Sequence, residues 1–121
     1  MLVDDEPDLL AMTKEVLESS GYEVHAFSSP DGALLHTREK GCKDCMLLVS
    51  DIRMAGMSGF ELVRQMKQLR PELKVVLMSS FVIHKGEFEK VMPSFQIDDF
   101  VKKPFTKAEI VEAIRRVAKD K

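Results

Sequence analysis

Short apolar runs alternate with amphipathic, capped segments along the whole chain. That alternation leaves few folds other than a parallel sheet joined by crossover helices. Met1-Leu2-Val3 reads as the end of a buried strand, short enough that the natural start is expected upstream. Pro7 suits the first turn of a helix, and Leu9, Met12 and Val16 recur at three- and four-residue spacing as its apolar face. Gly21 closes that helix, and Tyr22 to Phe27 alternates as a second strand. Ser29-Pro30-Asp31 opens the next helix with a capping hydroxyl, a proline at the first position and a carboxylate near the positive end of the dipole. This helix fades by Gly41.

Met46-Leu47-Leu48-Val49 is continuously apolar, as a central strand covered on both faces must be. Ser58 and Glu61 form a capping box for a third helix. Leu62, Val63, Met66 and Leu69 are its apolar positions, and Pro71 stops it. Val75 to Met78 is a fourth strand. From Phe81 to Gln96 the pattern is poor: a fourth helix is expected around Glu87 to Met92, closed by Pro93. Phe100-Val101 reads as a short fifth strand. Thr106 and Glu109 cap a fifth helix, whose inward positions are Ile110, Val111, Ile114 and Val117. No linker, repeat or low-complexity segment interrupts five strands and five helices, so residues 1–121 read as one domain.

With 45% hydrophobic residues the chain can bury a core without staples, and 31% charged residues in a chain this rich in Leu, Ile, Val and Phe argue against intrinsic disorder. Its 18 basic and 20 acidic side chains give a formal charge of −2 with no basic stripe, so direct nucleic-acid binding is not expected. No apolar run approaches the roughly 20 residues of a membrane span, and no signal-peptide layout opens the chain. A cytoplasmic protein with no membrane partner is the expectation. Cys42 and Cys45 form a lone Cys-x-x-Cys with no second ligand pair, and read as two reduced thiols in a loop.

In an open parallel sheet the functional crevice lies beyond the carboxyl ends of the strands. The first strand ends in Asp4-Asp5, the third in Asp51 and the fourth in Ser79-Ser80, while Lys103-Pro104 follows the fifth. Three carboxylates, a hydroxyl and an ammonium therefore converge at one end of the sheet. Clustered carboxylates repel and need a cation. Oxygen donors with room for water suit Mg²⁺. A carboxylate can also act as a nucleophile toward phosphorus, provided nearby cations and donors neutralise the transferred group. Each element alone is commonplace, but the four together, each at the end of a different strand, make a functional site the expectation.

These residues carry a resemblance to the receiver domains of two-component response regulators. Leu2-Val3-Asp4-Asp5-Glu6 resembles the family's acidic pair after the first strand. Leu48-Val49-Ser50-Asp51-Ile52-Arg53-Met54, with Gly56 and Gly59, resembles the segment around its phosphoacceptor. Val75-Val76-Leu77-Met78-Ser79 is similar to the strand ending in a hydroxyl, and Lys103-Pro104-Phe105 to the Lys-Pro-Phe element.

The resemblance implies an α/β flavodoxin-like fold, a doubly wound (βα)5 sheet of five parallel strands in the order 2-1-3-4-5. It implies that Asp51 accepts a phosphoryl group from a sensor histidine kinase or phosphotransfer protein. Mg²⁺ would be held by Asp4, Asp5, Asp51 and the backbone carbonyl of Arg53. Ser79 and Lys103 would contact the phosphoryl oxygens, and Ser79 with Phe100 would form the switch. The output face would be built from the fourth helix, fifth strand and fifth helix. Such a chain is a switch rather than an enzyme, with an output domain or a receiver homodimer as its further partners. The family's Lys-Pro bond is typically cis.

The chain departs from the family pattern at Ala55, Ser58, Ser80 and Gln96, and the segment from Ser79 to Lys103 is slightly long. The alternative reading is a pseudo-receiver, an interaction module that signals without phosphorylation. The intact set of Asp4, Asp5, Asp51, Ser79 and Lys103 argues against it. A Mg²⁺-dependent phosphatase is disfavoured because Arg53 stands where such an enzyme needs an aspartate as general acid.

Overall fold

Each apolar run of the sequence alternates its side chains between two covered faces of one sheet, and among the described residues two helices pack on each face. A computed structural model of the chain describes residues 1–40, 47–54, 56–79 and 97–118. The strands are β1 (Leu2–Val3), β2 (Ala26–Phe27), β3 (Leu47–Asp51), β4 (Lys74–Ser79) and β5 (Asp99–Lys102). The helices are α1 (Pro7–Ser19), α2 (Pro30–Lys40), α3 (Gly59–Leu69) and α4 (Lys107–Ala118), the last being the helix anticipated as the fifth. All neighbouring strands are parallel, in the order β2-β1-β3-β4-β5. The flavodoxin-like topology is therefore present. The helix anticipated around Glu87 to Met92, the Cys42/Cys45 pair, Ala55, Ser80 and Gln96 lie outside the described residues.

The period of two along the strands divides the core. Val3, Leu48, Val75 and Leu77 face α2 and α3, where they meet Ala33, Leu34, Leu62, Val63 and Met66. Leu2, Val49, Val76, Met78 and Val101 face the other way and meet Leu17 of α1 with Ile110, Ala113, Ile114 and Val117 of α4. Successive residues of β3 and β4 thus serve opposite layers, which is why both strands read as unbroken apolar runs.

Local signals account for most helix ends. At the end of α1, Gly21 takes φ +95°. Its N–H donates to the Glu18 carbonyl and that of Tyr22 to the Leu17 carbonyl, each at 3.1 Å, closing a Schellman motif. The capping box before α4 is complete: Thr106 N–H donates to Glu109 Oε1 at 2.9 Å and Glu109 N–H to Thr106 Oγ1 at 3.1 Å. Before α3 only half of it forms. Glu61 N–H donates to Ser58 Oγ at 3.2 Å, but the Glu61 carboxylate is taken by Arg64 Nε at 2.6 Å.

Three expectations need correction. In α1 the buried positions are Thr13 and Leu17, and Met12 stands 42% exposed. Leu10 and Leu17 join Val16 in the packed stripe of the helix, and Met12 turns outward. In α3, Leu69 is 39% exposed because the last turn runs past the edge of the core that Leu62, Val63 and Met66 fill. Of the alternating stretch from Tyr22 to Phe27, only Ala26 and Phe27 form a strand, paired in parallel with Leu2 and Val3.

Candidate functional site

The carboxyl ends of β1, β3 and β4 and the residue after β5 meet at one end of the sheet. Asp4 directly follows β1 and is 1% exposed; Asp51 is the last residue of β3 and 5% exposed. Lys103, one residue past β5, is 8% exposed. Its ammonium lies 2.9 Å from Asp4 Oδ2 and 3.2 Å from Asp51 Oδ2. Parallel strands in staggered register put these three side chains together from positions almost a hundred residues apart. The Lys103–Pro104 peptide bond is cis.

Ser79 ends β4 and is buried, and its carbonyl accepts the Lys103 N–H at 2.7 Å, tying the last turn of the chain before α4 to the site. Asp5 is exposed at the mouth, and one oxygen of each of Asp4, Asp5 and Asp51 lies within 4.8 Å of the others. Arg53, two residues beyond Asp51, presents its side chain to solvent. Phe100 is not part of this cluster: it is half-buried on β5, paired in register with Leu77, and packs on the layer of α2 and α3.

The electrostatics follow from burial. Desolvation pushes the Asp51 carboxyl above its ordinary range; the Lys103 charge pulls it back, and the Asp4 charge pushes it up again. Burial on its own would lower the Lys103 ammonium. The hydrogen bond and charge of Asp4, with the charge of Asp51, outweigh that and hold it above the ordinary lysine value. Two buried anions thus share one buried cation, and the cluster retains negative charge open to solvent through Asp5. The donor set is all oxygen, compact and open to water on one side. It fits Mg²⁺, which takes one or two carboxylates and keeps several waters.

Two residues at the site escaped sequence reasoning although both stand in segments it singled out. Glu6 follows the acidic pair, and its Oε1 lies 3.8 Å from the Lys103 ammonium. Gly59 opens α3 directly against the end of β3. A Cβ there would overlap the Asp51 carbonyl oxygen and lie 2.9 Å from Ile52 Cα, and the Gly59 N–H donates to the Ile52 carbonyl at 2.7 Å. A glycine three residues before Leu62, the first residue of the helical stripe, was the sequence signal for that close approach.

Comparison with known proteins places this geometry in a family. The model of the response regulator receiver domain matches residues 1–115. The chain belongs to that family, the receiver domains of two-component signalling. The C4-dicarboxylate transport transcriptional regulatory protein DctD of Rhizobium meliloti is 32% identical over 117 residues, covering 95% of this chain and 24% of that protein. The chemotaxis protein CheY of Thermotoga maritima is 27% identical over 119 residues, covering 98% of this chain and 96% of CheY. The solved response regulator TrrA of Thermotoga maritima, in complex with Mg²⁺-BeF, superposes with a TM-score of 0.77 at 26% identity, covering 96% of this chain and 95% of that one. The chain spans between about a quarter and a half of the first curated relatives it matches. Among the described residues no helix is long and apolar enough to cross a membrane.

Proposed function

We propose that residues 1–121 act as one phosphoacceptor receiver domain in a cytoplasmic two-component system, with Asp51 as the residue phosphorylated in the presence of Mg²⁺. The observation that carries this reading is the buried Asp51 carboxylate at the end of a central strand, 3.2 Å from the Lys103 ammonium, with Asp4 and Asp5 oxygens beside it. The phosphodonor is a sensor histidine kinase or a phosphotransfer protein. An Asp51 carboxylate oxygen forms a bond to phosphorus while the phosphorus–nitrogen bond to the donor imidazole breaks, and the imidazole nitrogen keeps the electron pair and takes up a proton. Asp4, Asp5, Asp51 and the Arg53 carbonyl are the residues that would hold Mg²⁺, which supplies charge neutralisation for the transferred oxygens when bound.

Lys103 stands within reach of any group on Asp51 and offers its ammonium to a phosphoryl oxygen. Ser79 offers its hydroxyl to another. Phosphorylation is read out as Ser79 and Phe100 rearrange, which alters the face that includes β5 and α4. An output domain or a second receiver takes up that change. The match to DctD, of which this chain covers only 24%, supports an output domain as partner.

Incubation with acetyl phosphate tests the proposal. Intact-mass analysis should show one added phosphoryl group in Mg²⁺ buffer, none with EDTA, and none in Asp51→Asn. Equal labelling of Asp51→Asn would move the site elsewhere, and no labelling of a Mg²⁺-loaded, folded protein would favour a pseudo-receiver.

A further inference from the structure

Lys103 has three ammonium protons and three carboxylates around it, and among the described residues the third of these carboxylates, that of Glu6, has Lys103 as its ion-pair partner. Glu6 occupies the N-cap position of α1, yet its side chain makes no capping hydrogen bond. It is 64% exposed and its Oε1 lies 3.8 Å from the Lys103 ammonium, on the solvent side of a pair that is otherwise buried. Its own N–H donates to Asp4 Oδ1 at 3.0 Å, so the backbone that carries Glu6 is fixed to the site. The two closer partners of Lys103, Asp4 Oδ2 and Asp51 Oδ2, belong to carboxylates that also offer oxygens to a divalent cation. Ammonium and cation therefore compete for the same anions at short range, and like charges repel strongly where water is excluded.

We propose that Glu6 is a positioning residue for Lys103: its carboxylate draws the ammonium toward the solvent rim and so frees Asp4 and Asp51 oxygens for Mg²⁺. The inference rests on the Mg²⁺ site of the proposed function. An ammonium drawn toward the rim would also meet the oxygens of an arriving phosphoryl group first, so the residue that relieves competition in the resting site serves acceptance as well. Glu6 acts through Lys103 and touches neither the metal nor the reacting atoms.

The experiment is a calorimetric titration of Mg²⁺ into wild type, Glu6→Gln, Lys103→Met and the double variant, with thermal melts alongside. Glu6→Gln should melt as wild type does and raise the Mg²⁺ dissociation constant about two- to fivefold, the range an exposed ion pair supports. In the Lys103→Met background the same substitution should change it much less. An equal effect in both backgrounds means that Glu6 acts on the metal by its own charge, and overturns the inference, as does a Glu6→Gln constant equal to that of wild type. Wild type that binds no Mg²⁺ overturns both this inference and the reading it rests on. Normal wild-type binding with an unaffected Glu6→Gln overturns this one alone.

Discussion

Lys103 holds its ammonium between Asp4 and Asp51, two carboxylates that are themselves out of water. Removing it strands both anions, and breaking a buried pair from one side is costly because the remaining charge keeps its desolvation penalty. Lys103→Ala should lower metal-free stability at neutral pH by about 2–3 kcal/mol. The pH dependence has a definite sign. Lys103 is held above its ordinary value in the fold, so its stabilisation is complete below the unfolded lysine value of about 10.4 and fades as pH climbs through the folded one. Wild type and variant should therefore converge in strongly alkaline buffer. Asp51 works in the opposite sense. Its carboxyl is pushed up by burial, so ionising it costs stability, a cost absent below about 3.9 and developed as pH passes the folded value. Urea denaturation of wild type and Lys103→Ala across pH checks the lysine prediction, and equal stabilities at neutral pH would contradict it.

The first turn of α3 must lie against the end of β3 for Asp51 to sit where it does, and Gly59 makes that approach sterically possible. Gly59→Ala places a methyl on the Asp51 and Ile52 backbone, which cannot give way as a flexible side chain would. The substitution should cost about 1–3 kcal/mol, the usual penalty of forced overpacking, and should slow labelling of Asp51 by displacing it. Gly32 is the contrast. It lies within α2, where a new Cβ would meet Phe27 Cδ1 at 3.4 Å and Ser29 Oγ at 3.5 Å, ordinary contact. Gly32→Ala should therefore stabilise by about 0.5–1 kcal/mol through helix propensity. Both are read from urea midpoints, and a neutral Gly59→Ala would show that the start of α3 moves away without strain.

At the scale of the whole molecule, the sheet is insulated on both faces, and substitutions should divide by burial rather than by hydrophobicity. Leu77 lies on β4, between β3 and β5, fully buried in the layer between the sheet and α2 and α3. Leu77→Ala should cost about 2–5 kcal/mol, the transfer and cavity terms together. Leu69 belongs to the same helical repeat as Met66 but is exposed, so Leu69→Ala should fall within about 0.5 kcal/mol of wild type. A large loss at Leu69 would mean that the end of α3 is covered by something other than this core.

Much of this protein is written locally. Alternation of strand and helix, the Schellman glycine at 21, the box at Thr106 and Glu109, and charged or hydroxyl residues at four strand ends are all short-range patterns. A nearest-neighbour reading finds them because caps and periodicities act over a few residues. Resemblance to the receiver family then supplied the strand order, which no local pattern contains. The remainder needed tertiary contact. Which stripe of α1 is buried depends on how the helix rotates against Leu2, Val49 and α4, and periodicity defines an amphipathic face only to within a residue. Glu6 reaches Lys103, and Gly59 touches Asp51, only because the sheet brings together segments far apart in the chain. Such approaches are long-range, so they leave at most a residue type in the sequence, and the distances that make them chemistry arise on folding.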